Sequence, residues 1–158
     1  DLFERQWAAN RDRIAEITDR DEDTVRLAVD MAFEGAGGER AEIDVAAISD
    51  EHGAFFDVGT DTATRYAEVV RDSAAVFVKG ALGVFEDARF SKGTVTVLEA
   101  MAETDCFSVV GGGDTSRAIR MYGMDEADFS HVSIAGGAYI HALTGAELIG
   151  VELLARDR

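Results

Sequence analysis

The chain has 158 residues, 47% of them hydrophobic, which suits one domain around one core, and none of its apolar runs is long enough to span a bilayer. Its 31 acidic and 15 basic residues give a formal net charge of −16, a balance that argues against nucleic acid and anionic membrane surfaces as partners. The single cysteine, Cys106, excludes an internal disulfide and suits a cytoplasmic location.

The acidic residues are spread along the chain, and Lys79 and Lys92 are its only lysines. Such a surface suits a salt-rich cytoplasm, where screening relieves self-repulsion. The chain starts at Asp1 rather than at a methionine, and so reads as a piece of a longer one.

Residues 1–20 read as a helix with Leu2, Phe3, Trp7, Ile14 and Ile17 as its apolar stripe. Over 24–33, Val25, Leu27, Val29, Met31 and Phe33 alternate as in a half-buried strand. A glycine-rich turn over 34–40 precedes a short antiparallel return over 41–45. A strand over 54–58 leads to a helix over 61–72, with Thr60 placed to cap it and Ala63, Tyr66, Val69 and Val70 facing inward. Asp57 reads as a turn cap. Residues 74–78 are continuously apolar, as in a central parallel strand, and run into a loop from Lys79 to Glu86 that carries two glycines. A helix over 90–103 aligns Phe90, Val97, Leu98 and Met101 on one face.

The next stretch is the most informative. Phe107 to Val110 is a short β-branched run, Gly111, Gly112 and Gly113 follow, and Asp114, Thr115 and Ser116 open a helix-like segment. Strand, glycine turn and helix start are how α/β proteins bring backbone N–H groups to a phosphate. Asp114 reads either as an N-cap or as an oxygen ligand for a phosphate-bound Mg²⁺. Cys106 reads as a buried, inert thiol. A last strand over 130–134 meets a second glycine pair, Gly136 and Gly137, before helices over 138–143 and 147–155.

Strands alternating with helices imply an α/β fold, a three-layer, doubly wound, mostly parallel, Rossmann-like sheet. The strands ending at Val78, Val110 and Ile134 each enter a glycine turn, so all three turns are expected at the carboxyl edge, where such sheets hold ligands. Lys79 either faces a phosphate or carries its head to solvent. His52, His131 and His141 are scattered, without metal-site spacing. No strand is followed by G-x-G-x-x-G, which disfavours a dinucleotide oxidoreductase.

Gly83-Val84-Phe85-Glu86, the run Gly111 to Thr115, and Ser130-His131-Val132-Ser133 followed by Gly136-Gly137-Ala138 occur in that order. With Asp57-Val58-Gly59-Thr60 and Tyr66 upstream, they resemble the signatures of phosphoglycerate kinase, of the halophilic-archaeal type. The resemblance covers about residues 12–153. It implies that residues 1–158 are a partial C-terminal nucleotide-binding domain of a two-domain glycolytic kinase. That enzyme exchanges a phosphoryl group between 1,3-bisphosphoglycerate and ADP, giving 3-phosphoglycerate and ATP. By the same resemblance Glu86 would hold the ribose hydroxyls, Gly83 and Val84 would line the adenine pocket, and Gly80 would lie beside the phosphates. Asp114 would ligate the Mg²⁺ that accompanies ATP or ADP, Gly112, Gly113 and Thr115 would bind phosphates, and Gly136 and Gly137 would cradle the group in transfer. The resemblance further implies a cytoplasmic enzyme, monomeric at full length, whose glycerate substrate is bound by an N-terminal domain with no counterpart in this chain. The family's lysine-bearing glycine loop also has no counterpart. Lys79 and Ala81 stand where the family usually has Asn and Pro, and Ile134 and Ala135 where it usually has Thr and Gly. The alternative is a stand-alone, catalytically inactive nucleotide-binding or scaffold fragment, which shares every motif and differs in lacking a partner half.

Overall fold

A computed structural model describes residues 2–18 and 24–156. Helix α1 (Leu2–Thr18) leaves its stripe less covered than the spacing predicts, with Trp7 and Ile17 each 48% exposed. Strand β1 (Asp30–Glu34) is shorter than expected, since residues 25–28 have no regular structure. Its parity also differs: Ala32 is fully buried, while Met31 and Phe33 are half-buried. Ala32 pairs with Asp57, whose side chain is fully enclosed, so the interior lies on that face.

The glycine-rich turn joins β1 to β2 (Arg40–Asp44) as an antiparallel hairpin, and β3 (Phe55–Val58) pairs antiparallel with the other side of β1. These three strands form their own sheet, in the order β2-β1-β3, and do not extend the parallel one.

Helix α2 (Thr60–Arg71) is capped from a distance. Gly59 occupies the N-cap position, Thr60 is the first helical residue, and neither side chain caps the helix. Asp30 does so instead, accepting from Asp61 N at 2.9 Å and from Thr62 N at 2.8 Å. The Thr62 hydroxyl donates back to Asp30 Oδ1 at 2.5 Å and accepts from Val29 N at 2.9 Å. A Cβ on Gly59 would lie 2.1 Å from the Asp30 carboxylate, so the tight cap requires glycine there. Burial alone would raise the Asp30 carboxyl, but the hydrogen bonds from Thr62 and Asp61 outweigh it and hold its pKa below the ordinary value.

The second sheet is parallel throughout. It contains β4 (Ala75–Lys79), β5 (Phe107–Gly111) and β6 (His131–Ser133), in the order β4-β5-β6. Helices α3 (Lys92–Ala102) and α4 (Gly113–Met121) are its crossovers. Leu98 and Met101 of α3, Val110 of β5, Ile119 of α4 and Ala67 of α2 share one core. Each large side chain buried in it contributes about 1.5–3 kcal/mol. Phe90, Val97, Leu98 and Met101 are all buried, as their spacing predicts, with Phe90 in a short 3₁₀ turn ahead of α3. Val76 and Val78 face this core, so Phe77 faces the opposite side of the sheet. There it stacks on Tyr139 of α5 (Gly136–Leu143), with ring centroids 4.9 Å apart. Helices on both faces of a parallel sheet give the expected three layers. Helix α6 (Ile149–Arg156) ends the described chain. Cys106 is buried and free. No helix among the described residues is long and apolar enough to cross a membrane.

Candidate functional site

The parallel register aligns the three glycine turns. Lys79 pairs with Gly111, and Gly111 with Ser133, so the last residues of β4, β5 and β6 form one row across the carboxyl edge. At the usual strand spacing this row spans about 10 Å. Gly112 N donates to Ser133 O at 2.8 Å, which extends the link between β5 and β6 one residue beyond the ladder.

The glycines at this edge fall into two groups. Some are required by the fold. Gly112 has φ +101° and Gly80 φ +89°, a backbone region that disfavours side chains. A Cβ on Gly111 would lie 3.0 Å from the Phe77 ring, and one on Gly83 2.4 Å from Asp57 Oδ1. The others are not. A Cβ on Gly113 or Gly137 would meet nothing within 4 Å, and neither residue has a positive φ. Gly113 opens α4 and Gly137 is the second residue of α5, and neither helix has a side-chain cap. The first-turn N–H groups of both helices are therefore offered outward beside bare glycine surface.

Asp114 follows Gly113 on α4. Its carboxylate is exposed and is not the N-cap, since that position is Gly112. Of its two readings, the structure leaves it free to take a cation. No group of three or more His, Cys, Asp or Glu among the described residues could hold a metal ion alone. A Mg²⁺ here would be held as this ion usually is beside nucleotides, by one carboxylate together with phosphate oxygens and water. The donor set fits that arrangement.

Thr115 is wholly buried. Its hydroxyl accepts from Gly80 N at 3.0 Å and donates to Gly111 O at 3.3 Å, so only its backbone N–H is left for a phosphate. The loop after β4 is fastened to α4 and its C-cap residue at three points: Gly80 to Thr115, the Phe85 carbonyl to the Tyr122 hydroxyl at 2.7 Å, and Glu86 Oε1 to Arg117 Nη1 at 3.2 Å. Two further bonds complete its support, Leu82 N to Thr94 Oγ1 at 3.0 Å and Val84 N to Phe56 O at 2.7 Å. The Val84 side chain stays 44% exposed, beside the exposed Glu86.

A buried ion pair underlies this loop. Asp57 Oδ2 accepts from Arg40 Nη1 and from Gly93 N, both at 2.9 Å, while Oδ1 accepts from Val58 N at 2.9 Å. Arg40 also donates to the carbonyls of Arg89 and Val58 and to Glu42. Gly83 and Gly93 both pack on the Asp57 carboxylate. Asp57 therefore does not cap a turn; it joins β3 to the loop and to the start of α3.

The implied residues Gly80, Gly83, Val84, Glu86, Gly112, Gly113, Asp114 and Thr115 thus share one loop-and-helix assembly. Gly136 and Gly137 lie across β6 on the same edge. Lys79 is exposed at the end of β4, and Ile134, between β6 and α5, is 82% exposed. Sequence reasoning missed Arg40, Arg117 and Tyr122. For Arg117 a signal was present, since it lies three residues after Asp114 on one helix and so shares its face.

A parallel sheet flanked by helices, with glycine turns and two uncapped helix starts at its carboxyl edge, defines an α/β protein of the kind that holds phosphate-bearing ligands there. The family model for phosphoglycerate kinase matches residues 1–146, and the chain belongs to that family. The phosphoglycerate kinase of Halorubrum lacusprofundi is 62% identical over 154 residues, covering 98% of this chain and 38% of that protein. The phosphoglycerate kinase of Haloarcula marismortui is 60% identical over 155 residues, with the same coverage of 98% and 38%. The crystal structure of phosphoglycerate kinase from Pyrococcus horikoshii OT3 matches with a TM-score of 0.78 at 32% identity, covering 93% of this chain and 36% of that one. The chain therefore spans 38% of the length of these two curated relatives.

Proposed function

We propose that this chain supplies the Mg-nucleotide site of a phosphoglycerate kinase, which transfers a phosphoryl group between 1,3-bisphosphoglycerate and ADP to give 3-phosphoglycerate and ATP. The observation that carries the reading is the row Lys79, Gly111, Ser133, which sets the three family turns side by side on one edge. Glu86 takes the ribose hydroxyls, with Gly83 and Val84 beside the base. The uncapped N–H groups at Gly113, Asp114 and Thr115 take phosphate oxygens, and Gly80 closes the same end of the loop. Asp114 would hold the Mg²⁺, which supplies charge neutralisation on the phosphates. Gly136 and Gly137 open α5 across β6, where the start of a second helix faces the group in transfer. Phosphoryl transfer suits such parts, because it rests on positioning and electrostatics rather than on a covalent protein intermediate. The glycerate substrate is bound by a domain that precedes this portion, and the whole enzyme works as a cytoplasmic monomer in a salt-rich cell.

Calorimetry of ADP binding to this chain, with and without Mg²⁺, tests the site. Asp114→Ala is expected to weaken MgADP by about tenfold, the scale of one lost charge-assisted contact, and to change metal-free ADP little. Equal weakening of both forms would reject the metal-ligand role.

A further inference from the structure

We infer that Arg117 is a positioning residue for the nucleotide site, holding the Glu86 carboxylate in the orientation that takes the ribose hydroxyls; the inference rests on the ribose role proposed for Glu86. Arg117 Nη1 donates to Glu86 Oε1 at 3.2 Å, and its guanidinium carbon lies 5.8 Å from the centroid of the Phe85 ring. That ring is a fixed platform. It is only 3% exposed, and the carbonyl of its residue is held by Tyr122. The guanidinium is thus anchored on one side by a buried aromatic face and presents a donor to Glu86 on the other.

The single contact leaves room for a ligand. Among the described residues Oε2 of Glu86 accepts no hydrogen bond, and each carboxylate oxygen has two lone-pair sites. Glu86 can therefore receive two ribose hydroxyls while still paired with Arg117. Without the arginine, an exposed glutamate at the end of a loop samples several rotamers and loses entropy on binding. Asp114 lies one turn away on the same helix, so α4 carries both the proposed metal ligand and the residue that aims the ribose ligand.

The test compares MgADP with Mg-2′,3′-dideoxyADP by calorimetry on this chain, for the native sequence, Arg117→Ala and Arg117→Lys. The native chain is expected to prefer MgADP. Arg117→Ala should reduce that preference by about threefold, the scale of an exposed ion pair, while its affinity for the dideoxy ligand stays unchanged. Arg117→Lys should restore part of the preference. An undiminished preference in Arg117→Ala would overturn the role of Arg117 and leave that of Glu86 standing. Equal loss of both ligands would assign Arg117 a merely structural part and overturn it too. A native chain that binds both alike would overturn the ribose reading of Glu86 itself, and one that binds neither would overturn the nucleotide site proposed for this chain and the inference with it.

Discussion

Asp57 is a fully enclosed carboxylate whose charge is met by Arg40, and the pair joins β2, β3 and α3. Removing one member of such a pair strands the other. Arg40→Met is expected to lower the unfolding free energy by about 3 kcal/mol, read from urea titrations at fixed salt. Arg40→Met/Asp57→Asn should lose less than the sum of the two single changes, and strict additivity would show that the residues are not coupled. Asp30 is a second carboxylate with a structural task. Its pKa lies below the ordinary 3.8, so its contribution is complete above that value and is lost as the pH falls through the lower folded-state value. Asn at this position does not titrate. Asp30→Asn turns one of the two accepting oxygens into a donor facing Asp61 N or Thr62, so it should cost about 1–2 kcal/mol at neutral pH and flatten the acid limb, measured as urea midpoints on acidification through pH 3.8. An unchanged limb would remove Asp30 from the account.

The elements divide into those that local pattern reveals and those that it does not. The strand, glycine turn and helix at 107–121 are legible because each signal lies within a few residues of the next. So is the face formed by Phe90, Val97, Leu98 and Met101, where helical spacing alone selects the buried side. The late start and reversed parity of β1 are not legible. They depend on which face the molecule closes over, and Ala32 is neutral in any alternation. Asp30 reaches its helix across 31 residues, and Arg40 reaches Asp57 across 17. Such partners exist only once the β2-β1-β3 register is set, so no local pattern announces them. The candidate site was legible as a set of turns and a family resemblance. That the Thr115 hydroxyl is spent on Gly80 and Gly111 was not, because the residue type is the same whether its oxygen faces a phosphate or the protein.

The whole molecule carries a formal charge of −16 on 158 residues, and charges of like sign repel most strongly when the chain is compact. Its relatives in Halorubrum and Haloarcula share most of its sequence. Screening at high salt shortens the reach of that repulsion to a few ångströms. The thermal midpoint of this chain should rise steadily as NaCl is raised from about 0.1 M to about 3 M, where the screening length falls well below the spacing of surface charges. A midpoint indifferent to salt would reject the salt-adapted reading.

Among the described residues, β5 has a parallel partner on each side, and β4 and β6 have one each. This has a mechanical consequence for the ligand edge. A pull along β5, such as a ligand exerts on Gly113, loads two hydrogen-bond ladders in shear. Within the described chain, a pull on Lys79 or on the start of α5 loads only one. Within this chain, the end that carries Asp114 should therefore be the stiffer part of the edge, and the turns on either side of it the more compliant.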